Sequence, residues 1–192
     1  MKKIGLMFVI VLVGVFMVTG CGKTEYLTGK INVEIEVKDY GTIAVELDAD
    51  EAPITVTNFV NLVEDGFYDG LTFHRIIDGF MIQGGDPNGD GSGGSGRTIK
   101  GEFSSNGVDN SIDHVRGVIS MARSTMPNSA SSQFFIVQED SPHLNGEYAA
   151  FGHVTSGMEI VDAICEDVQV EDTNGTVLPE NQPVITSIKV VE

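Results

Sequence analysis

The sequence predicts a mainly β domain, a closed barrel or a sandwich, with two helices set well apart. Three observations carry this. Short runs rich in β-branched and aromatic residues recur between Gly-, Pro- and Asp-rich turns. Only two stretches show helical spacing of apolar residues. Those two lie far apart along the chain, which favours a barrel with covered open ends.

The chain opens with Lys2 and Lys3, a nearly unbroken apolar run over residues 4–18, and then Val18-Thr19-Gly20-Cys21. This resembles a bacterial lipoprotein signal, in which the cysteine is acylated and becomes the first residue after cleavage. An uncleaved anchor or a plain secretory signal are the alternatives, but so short a run suits processing better than spanning. The expectation is a signal peptide over 1–20, a lipidated Cys21 with a short linker over 21–31, and one folded domain over 32–192. Residues 22–30 would reach about 30 Å at full extension, keeping the domain near its membrane.

Residues 32–37 and 42–47 alternate apolar and polar, with Asp39-Tyr40-Gly41 between them, as an antiparallel pair with one buried face does. Pro53 fits a first helical turn, and Val56, Phe59, Val60 and Val63 follow as an apolar stripe that ends at Gly66. Two apolar runs then flank Asp78-Gly79, a dipeptide suited to a two-residue hairpin turn. Within this hairpin Arg75 and Gln83 are polar groups among Phe73, Ile77, Phe80 and Met81. A Gly-rich loop covers residues 86–96. Further strands are expected over 98–103, 117–122, 132–137 and 149–154, the third without alternation and therefore buried. Ser156-Gly157-Met158-Glu159 matches a capping box for the second helix, with Val161, Ile164 and Cys165 on its apolar side. An acidic loop over 166–181 precedes a last alternating strand over 184–191.

The formal charge is −17 and becomes −19 once Lys2 and Lys3 are removed. That excludes a nucleic-acid partner, since few cations remain to neutralise phosphates. It also opposes docking of the folded domain on an anionic lipid surface. Of the two cysteines, lipidation would consume Cys21. No disulfide framework is possible, and Cys165 reads as a small buried apolar residue.

Several motifs fail on inspection. Gly89, Gly91 and Gly94 fit a dinucleotide fingerprint, but no helical pattern follows to aim amides at a phosphate. Asp86, Asn88 and Asp90 imitate half an EF-hand loop, yet Arg97 stands where calcium needs a bidentate Glu. The segment reads as a flexible surface loop beside a site. His74, His114, His143 and His153 lack metal-ligand spacing, so no metal is expected. Gly-x-Ser-x-Gly does not occur. What remains, Arg75 and Gln83 among apolar and aromatic residues, suits a reaction that breaks no bond. Rotation about X–Pro faces a barrier of ~18–20 kcal/mol from amide resonance and takes tens to hundreds of seconds uncatalysed. An apolar cup for the ring, with a guanidinium donating to the prolyl nitrogen as resonance is lost, binds the twisted amide better than the planar one.

The run Phe73-His74-Arg75-Ile76-Ile77-Asp78-Gly79-Phe80-Met81-Ile82-Gln83-Gly84-Gly85-Asp86 closely resembles the signature of cyclophilin-type peptidyl-prolyl isomerases. So do Gly117-Val118-Ile119-Ser120-Met121-Ala122 with Ser131-Ser132-Gln133-Phe134-Phe135-Ile136, and the block from His143 to Gly152. The resemblance spans nearly the whole mature chain and implies a closed eight-stranded antiparallel β-barrel with a helix over each end. It implies that Arg75 is catalytic and that Gln83 orients it. Phe80, Met81, Phe135 and Leu144 would form the proline pocket, and Ala122, Arg123 and Gln133 the groove for substrate backbone. Three positions depart from the common pattern: Arg123 replaces an Asn, Tyr148 a His in the pocket wall, and His143 a Trp at the groove edge. The resulting expectation is a monomeric isomerase without cofactor, anchored through Cys21 to the outside of a bacterial membrane. Its partners would be Pro-containing, unfolded or partly folded exported proteins. The rival reading is a chaperone-like module that holds such segments without turnover.

Overall fold

The computed structural model describes residues 25–191; the expected signal at 1–20 and Cys21 lie outside them. Eight strands form one antiparallel sheet: β1 (Lys30–Val37), β2 (Gly41–Asp48), β3 (Phe73–Ile77), β4 (Met81–Gly84), β5 (Val118–Met121), β6 (Phe134–Val137), β7 (Ala150–Ser156) and β8 (Ile185–Val191). Their order across the sheet is β3-β4-β6-β5-β7-β2-β1-β8. Its two edge strands lie close together, so the sheet must curl. They are joined at one bridge, Thr72 to Val184, by backbone bonds from Phe73 N–H to the Pro183 carbonyl, from Ile185 N–H to that of Leu71 and from Gly70 N–H to that of Ile185. The expected barrel is therefore a curled sheet, and no continuous ladder closes β3 onto β8 among the described residues.

Alternation in β1 and β2 does what the pattern requires. Val33, Ile35, Val37, Ile43, Val45 and Leu47 are buried while their neighbours face out. In β6 all four residues are buried, because both faces are covered. Phe134 and Ile136 enter the main core, whereas Phe135 and Val137 join a second cluster with Met81, Leu144 and Ala150. That division places the site on the face of the sheet turned away from the main core.

Helix α1 (Pro53–Glu64) begins at the expected proline and buries Val56, Phe59, Val60 and Val63. Its N-terminus has no local side-chain cap. Instead the buried carboxylate of Glu102 accepts the N–H groups of Ile54 (3.1 Å) and Thr55 (2.8 Å) and the Thr55 hydroxyl (2.7 Å). A carboxylate is the right group there, opposite the positive end of the helix dipole.

Three local expectations are corrected. Residues 98–103 form no strand but a single bridge, Ile99 to Ala130, because Glu102 turns inward to α1 and Gly101 N–H donates to Asn128 Oδ1. Helix α2 (Met158–Asp167) is not opened by a capping box; its N-cap is Gly157 at φ +94°, without a side-chain cap. Glycine is required there because a Cβ would sit 2.7 Å from the Thr42 carbonyl oxygen. The β3–β4 turn holds three residues between paired Ile77 and Met81, not two. Only Gly79 has positive φ, whereas a two-residue turn needs it at both positions (type I′) or at the first, Asp78 (type II′). The extra residue, Phe80, is thereby set at the rim, and its carbonyl accepts the Gln138 N–H at 2.8 Å. Ahead of the domain's main body, Leu27 N–H donates to Thr57 and Gly29 N–H to Asp50, and β1 starts at Lys30.

Cys165 is buried on α2, and burial first of all pushes its thiol up to about 12, as suits an inert apolar filler.

Candidate active site

Arg75 and Gln83 are direct cross-strand partners in the β3–β4 ladder, so their side chains lie on the same face. Arg75 Nη1 donates to Gln83 Oε1 at 3.1 Å. With that oxygen engaged by a cation, the Gln83 amide nitrogen must donate onward, to Gln133 Oε1 at 2.9 Å. Gln133 Nε2 then donates to the carbonyls of Gly91 (3.0 Å) and Gly93 (2.9 Å). The Gly-rich loop is the terminus of this relay, and is itself folded round buried Asp86. That carboxylate accepts the N–H groups of Asn88, Asp90 and Gly91. Burial lowers the Arg75 pKa, Tyr148 and Asp172 oppose that, and the group stays protonated at neutral pH.

The half-buried guanidinium stands at the edge of a cavity of about 190 Å³. Phe80, Met81, Ala122, Phe135, Leu144 and Tyr148 line it, with Gln83 and Arg123 at its margins. Phe135 and Tyr148 meet edge to face, 5.8 Å apart at 86°. A second hollow of about 280 Å³ adjoins the first. It shares Gln83, Ala122 and Arg123 with the first and adds Gln133, Ser124, Ser129 and Ser131, with Gly91, Ser92 and Gly93 of the loop. Together they form one groove, apolar at one end and hydroxyl-rich at the other.

Two expected groove residues, Arg123 and His143, are held by aromatic neighbours. The Arg123 guanidinium lies between the rings of Phe103 (5.0 Å) and Tyr148 (4.7 Å). Its Nε donates to the Glu147 carbonyl and its Nη1 to that of Ser124, both at 2.9 Å. It lines both hollows and at the same time clamps the Tyr148 wall. His143 packs against Phe80 with ring centres 5.5 Å apart, on the rim and not among the lining residues.

The motifs did not reveal what lies beneath Phe135. His114 stacks on it at 6.1 Å and 17°. The Asn145 amide donates to Asp113, which leaves its oxygen to accept from His114 Nδ1 (3.2 Å); Nε2 then accepts from the Ser120 hydroxyl (3.0 Å). His74 is buried as well, with neither ring nitrogen bonded to a protein group among the described residues. Burial is the main cause that lowers both pKa values below the ordinary 6.5. For His74, Arg75 adds to this while Asp86 and Asp90 oppose it; for His114, His143 adds while Asn145 and Asp113 oppose. Both rings are neutral when folded and take up protons on unfolding below pH 6.5. Their contribution is complete above that value and falls as pH drops from 6.5 through the lowered folded values, by up to about 1.4 kcal/mol per pH unit for each ring. The urea midpoint is expected to fall in that window, and His74→Leu to flatten the decline. An unchanged slope in that variant would clear His74 of the effect.

An apolar cup on a curled antiparallel sheet, with a cation fixed at its edge, defines a class of site suited to an apolar ring held beside a hydrogen-bond donor. The comparisons with known proteins name the family. The profile described as "Cyclophilin type peptidyl-prolyl cis-trans isomerase/CLD" matches residues 32–190. Peptidyl-prolyl cis-trans isomerase B of Bacillus subtilis is 50% identical over 123 residues, 64% of this chain and 82% of that one. A peptidyl-prolyl cis-trans isomerase of Helicobacter pylori is 46% identical over 144 residues, 74% and 81% of the two chains. The crystal structure of a Cryptosporidium parvum cyclophilin type isomerase, in the presence of the dipeptide Ala-Pro, matches with a TM-score of 0.73 at 34% identity. That match covers 84% of this chain and 99% of that one. The chain belongs to the cyclophilin-type peptidyl-prolyl cis-trans isomerase family.

Proposed function

We propose that this isomerase accelerates X–Pro rotation in proteins folding after export, as a monomer held at a bacterial membrane by an acyl chain on Cys21. The observation that carries the chemistry is the guanidinium fixed by Gln83 at the edge of an apolar cavity. In this reading the proline ring enters the cup between Phe80, Met81, Phe135 and Leu144, with Tyr148 as the edge-to-face wall. Arg75 meets the prolyl nitrogen as its lone pair leaves resonance, an interaction absent from either planar isomer, so it lowers the barrier without tightening the ground state. Gln83 and Gln133 orient that cation, and the flanking peptide lies over the second hollow, where Ala122 and Gln133 are exposed to it. His143 borders the peptide through Phe80. The seam at Thr72 and Val184 is read as the closing point of a barrel.

The location rests on Lys2, Lys3, the apolar run and Cys21 alone. Mass spectrometry of the native protein is expected to find Cys21 acylated at the mature N-terminus, and Cys21→Ser to leave the membrane fraction or stay unprocessed. A mature form beginning elsewhere, or bare Cys21, overturns the anchored reading while leaving the isomerase intact.

A further inference from the structure

The acidic loop between α2 and β8 carries no recognisable motif, yet it touches the proposed catalytic group directly. The carbonyl of Asn174 accepts the Arg75 Nε–H at 2.8 Å. The carbonyl is aimed by a turn built round one exposed carboxylate. Asp172 Oδ1 accepts the N–H groups of Asn174 (2.9 Å) and Thr176 (3.1 Å), and Oδ2 accepts the Thr176 hydroxyl (3.0 Å). Backbone bonds from Gly175 N–H to the Asp172 carbonyl (3.0 Å) and from Glu171 N–H to that of Thr176 (2.8 Å) complete the turn.

The same turn is fastened to β3 on both sides of the arginine. Ile76 N–H donates to the Gly175 carbonyl at 2.8 Å, and Val177 N–H to that of His74 at 3.1 Å, with Arg75 and Thr176 in bridge register. Gly175 has φ +79°, and a Cβ there would overlap the Ile76 carbonyl. No other residue lets the turn lie so close to the strand.

We propose that Asp172 is a positioning residue for Arg75, acting through the Asn174 carbonyl; this rests on the reading of Arg75 as the catalytic group. A planar guanidinium held at one nitrogen can still swing about that bond. Held at Nη1 by Gln83 and at Nε by Asn174, it has one orientation left, and Nη2 has no protein acceptor among the described residues. A donor used only in the transition state needs this fixing, because misplacement by a fraction of an ångström weakens it there and nowhere else. The backbone supplies the acceptor, so what is tuned in the sequence is the turn that aims it.

The test uses the full chain with a Pro-containing peptide and reads kcat and KM separately by exchange NMR, together with the side-chain Nε–H resonance of Arg75. Asp172 is exposed, so Asp172→Ala folds; it is expected to lower kcat about three- to tenfold with KM unchanged. Its Arg75 Nε–H is expected to shift and exchange faster with solvent. Asp172→Asn keeps an oxygen able to accept from Asn174 and Thr176 and is expected to recover most of the loss. In an Arg75→Ala background, Asp172→Ala is expected to have no further effect, as two groups acting in series require. An unaltered Nε–H signal in Asp172→Ala, or an equal fold-loss without Arg75, overturns the proposal. The Nε–H signal needs no turnover, so a failure of Arg75→Ala to reduce activity would count against the catalytic assignment separately.

Discussion

Arg75→Ala lowers kcat/KM for X–Pro isomerisation at least about tenfold, a loss of about 1.4 kcal/mol or more in transition-state stabilisation. The size follows from what the guanidinium does and does not do in the ground state. It lies at the margin of the cavity, so removing it leaves the apolar cup in place and KM nearly unchanged. The fold survives, because Arg75 is only half-buried and the groups it releases, Gln83 Oε1 and the Asn174 carbonyl, are reached by water. Arg75→Lys does not restore the rate. An ammonium can take one of the two fixing partners, but it lacks the planar fork that holds both and still presents a third nitrogen. Peptide titrations with circular dichroism as a folding control decide the matter. A folded Arg75→Ala protein that turns over at the wild-type rate would mean that the cup alone is sufficient, and the family's chemistry in this chain would have to be sought elsewhere.

The parts of this site legible in the sequence are those written in local pattern. Arg75 and Gln83 stand out because they are polar at positions of a hairpin whose neighbours are apolar, but the expected two-residue turn would pair Arg75 with Ile82, and it is the third turn residue, Phe80, that makes Arg75 and Gln83 partners. The even burial of β6 shows in its lack of alternation, although not the reason, which is that Phe134 and Phe135 serve two different clusters. What stays hidden is every contact made by a backbone or a side chain distant in sequence. Glu102 caps a helix some 47 residues away, and nothing around it looks like a cap. The Asn174 carbonyl has no sequence identity to read, since any residue would supply it. Ser156-Gly157-Met158-Glu159 has the spacing of a capping box, but the approach of the Thr42 carbonyl decides that Gly157 starts the helix. Arg123 shows the same limit from the other side. A cation beside a groove suggests a ligand contact, and only the positions of Phe103 and Tyr148 reveal that its charge is also engaged within the wall.

The largest effect on stability is expected from Phe59→Ala. Phe59 is fully buried on α1, and three rings surround it: Tyr68 at 5.0 Å, Phe151 at 5.3 Å and Phe134 at 5.5 Å, the last edge to face. Truncation removes the transfer free energy of the ring and leaves a cavity between the helix and the sheet, about 3–5 kcal/mol in all. The neighbours cannot collapse into it cheaply. Tyr68 is tied through its hydroxyl to the Ser132 carbonyl at 3.0 Å, and Phe134 and Phe151 belong to paired regions of the sheet. Since a domain of this size has only about 5–15 kcal/mol in total, the variant should unfold near room temperature or in very little urea. Phe59→Leu keeps most of the volume and should lose clearly less. The activity of whatever fraction remains folded should nevertheless match the wild type, because Phe134 meets Phe59 while Phe135 forms the cup on the opposite face of β6. Urea titrations of both variants, with kcat/KM corrected for the folded fraction, separate the two effects. A corrected rate that falls together with stability would mean that the core and the cup are mechanically one unit, and that the division drawn through β6 does not isolate the site.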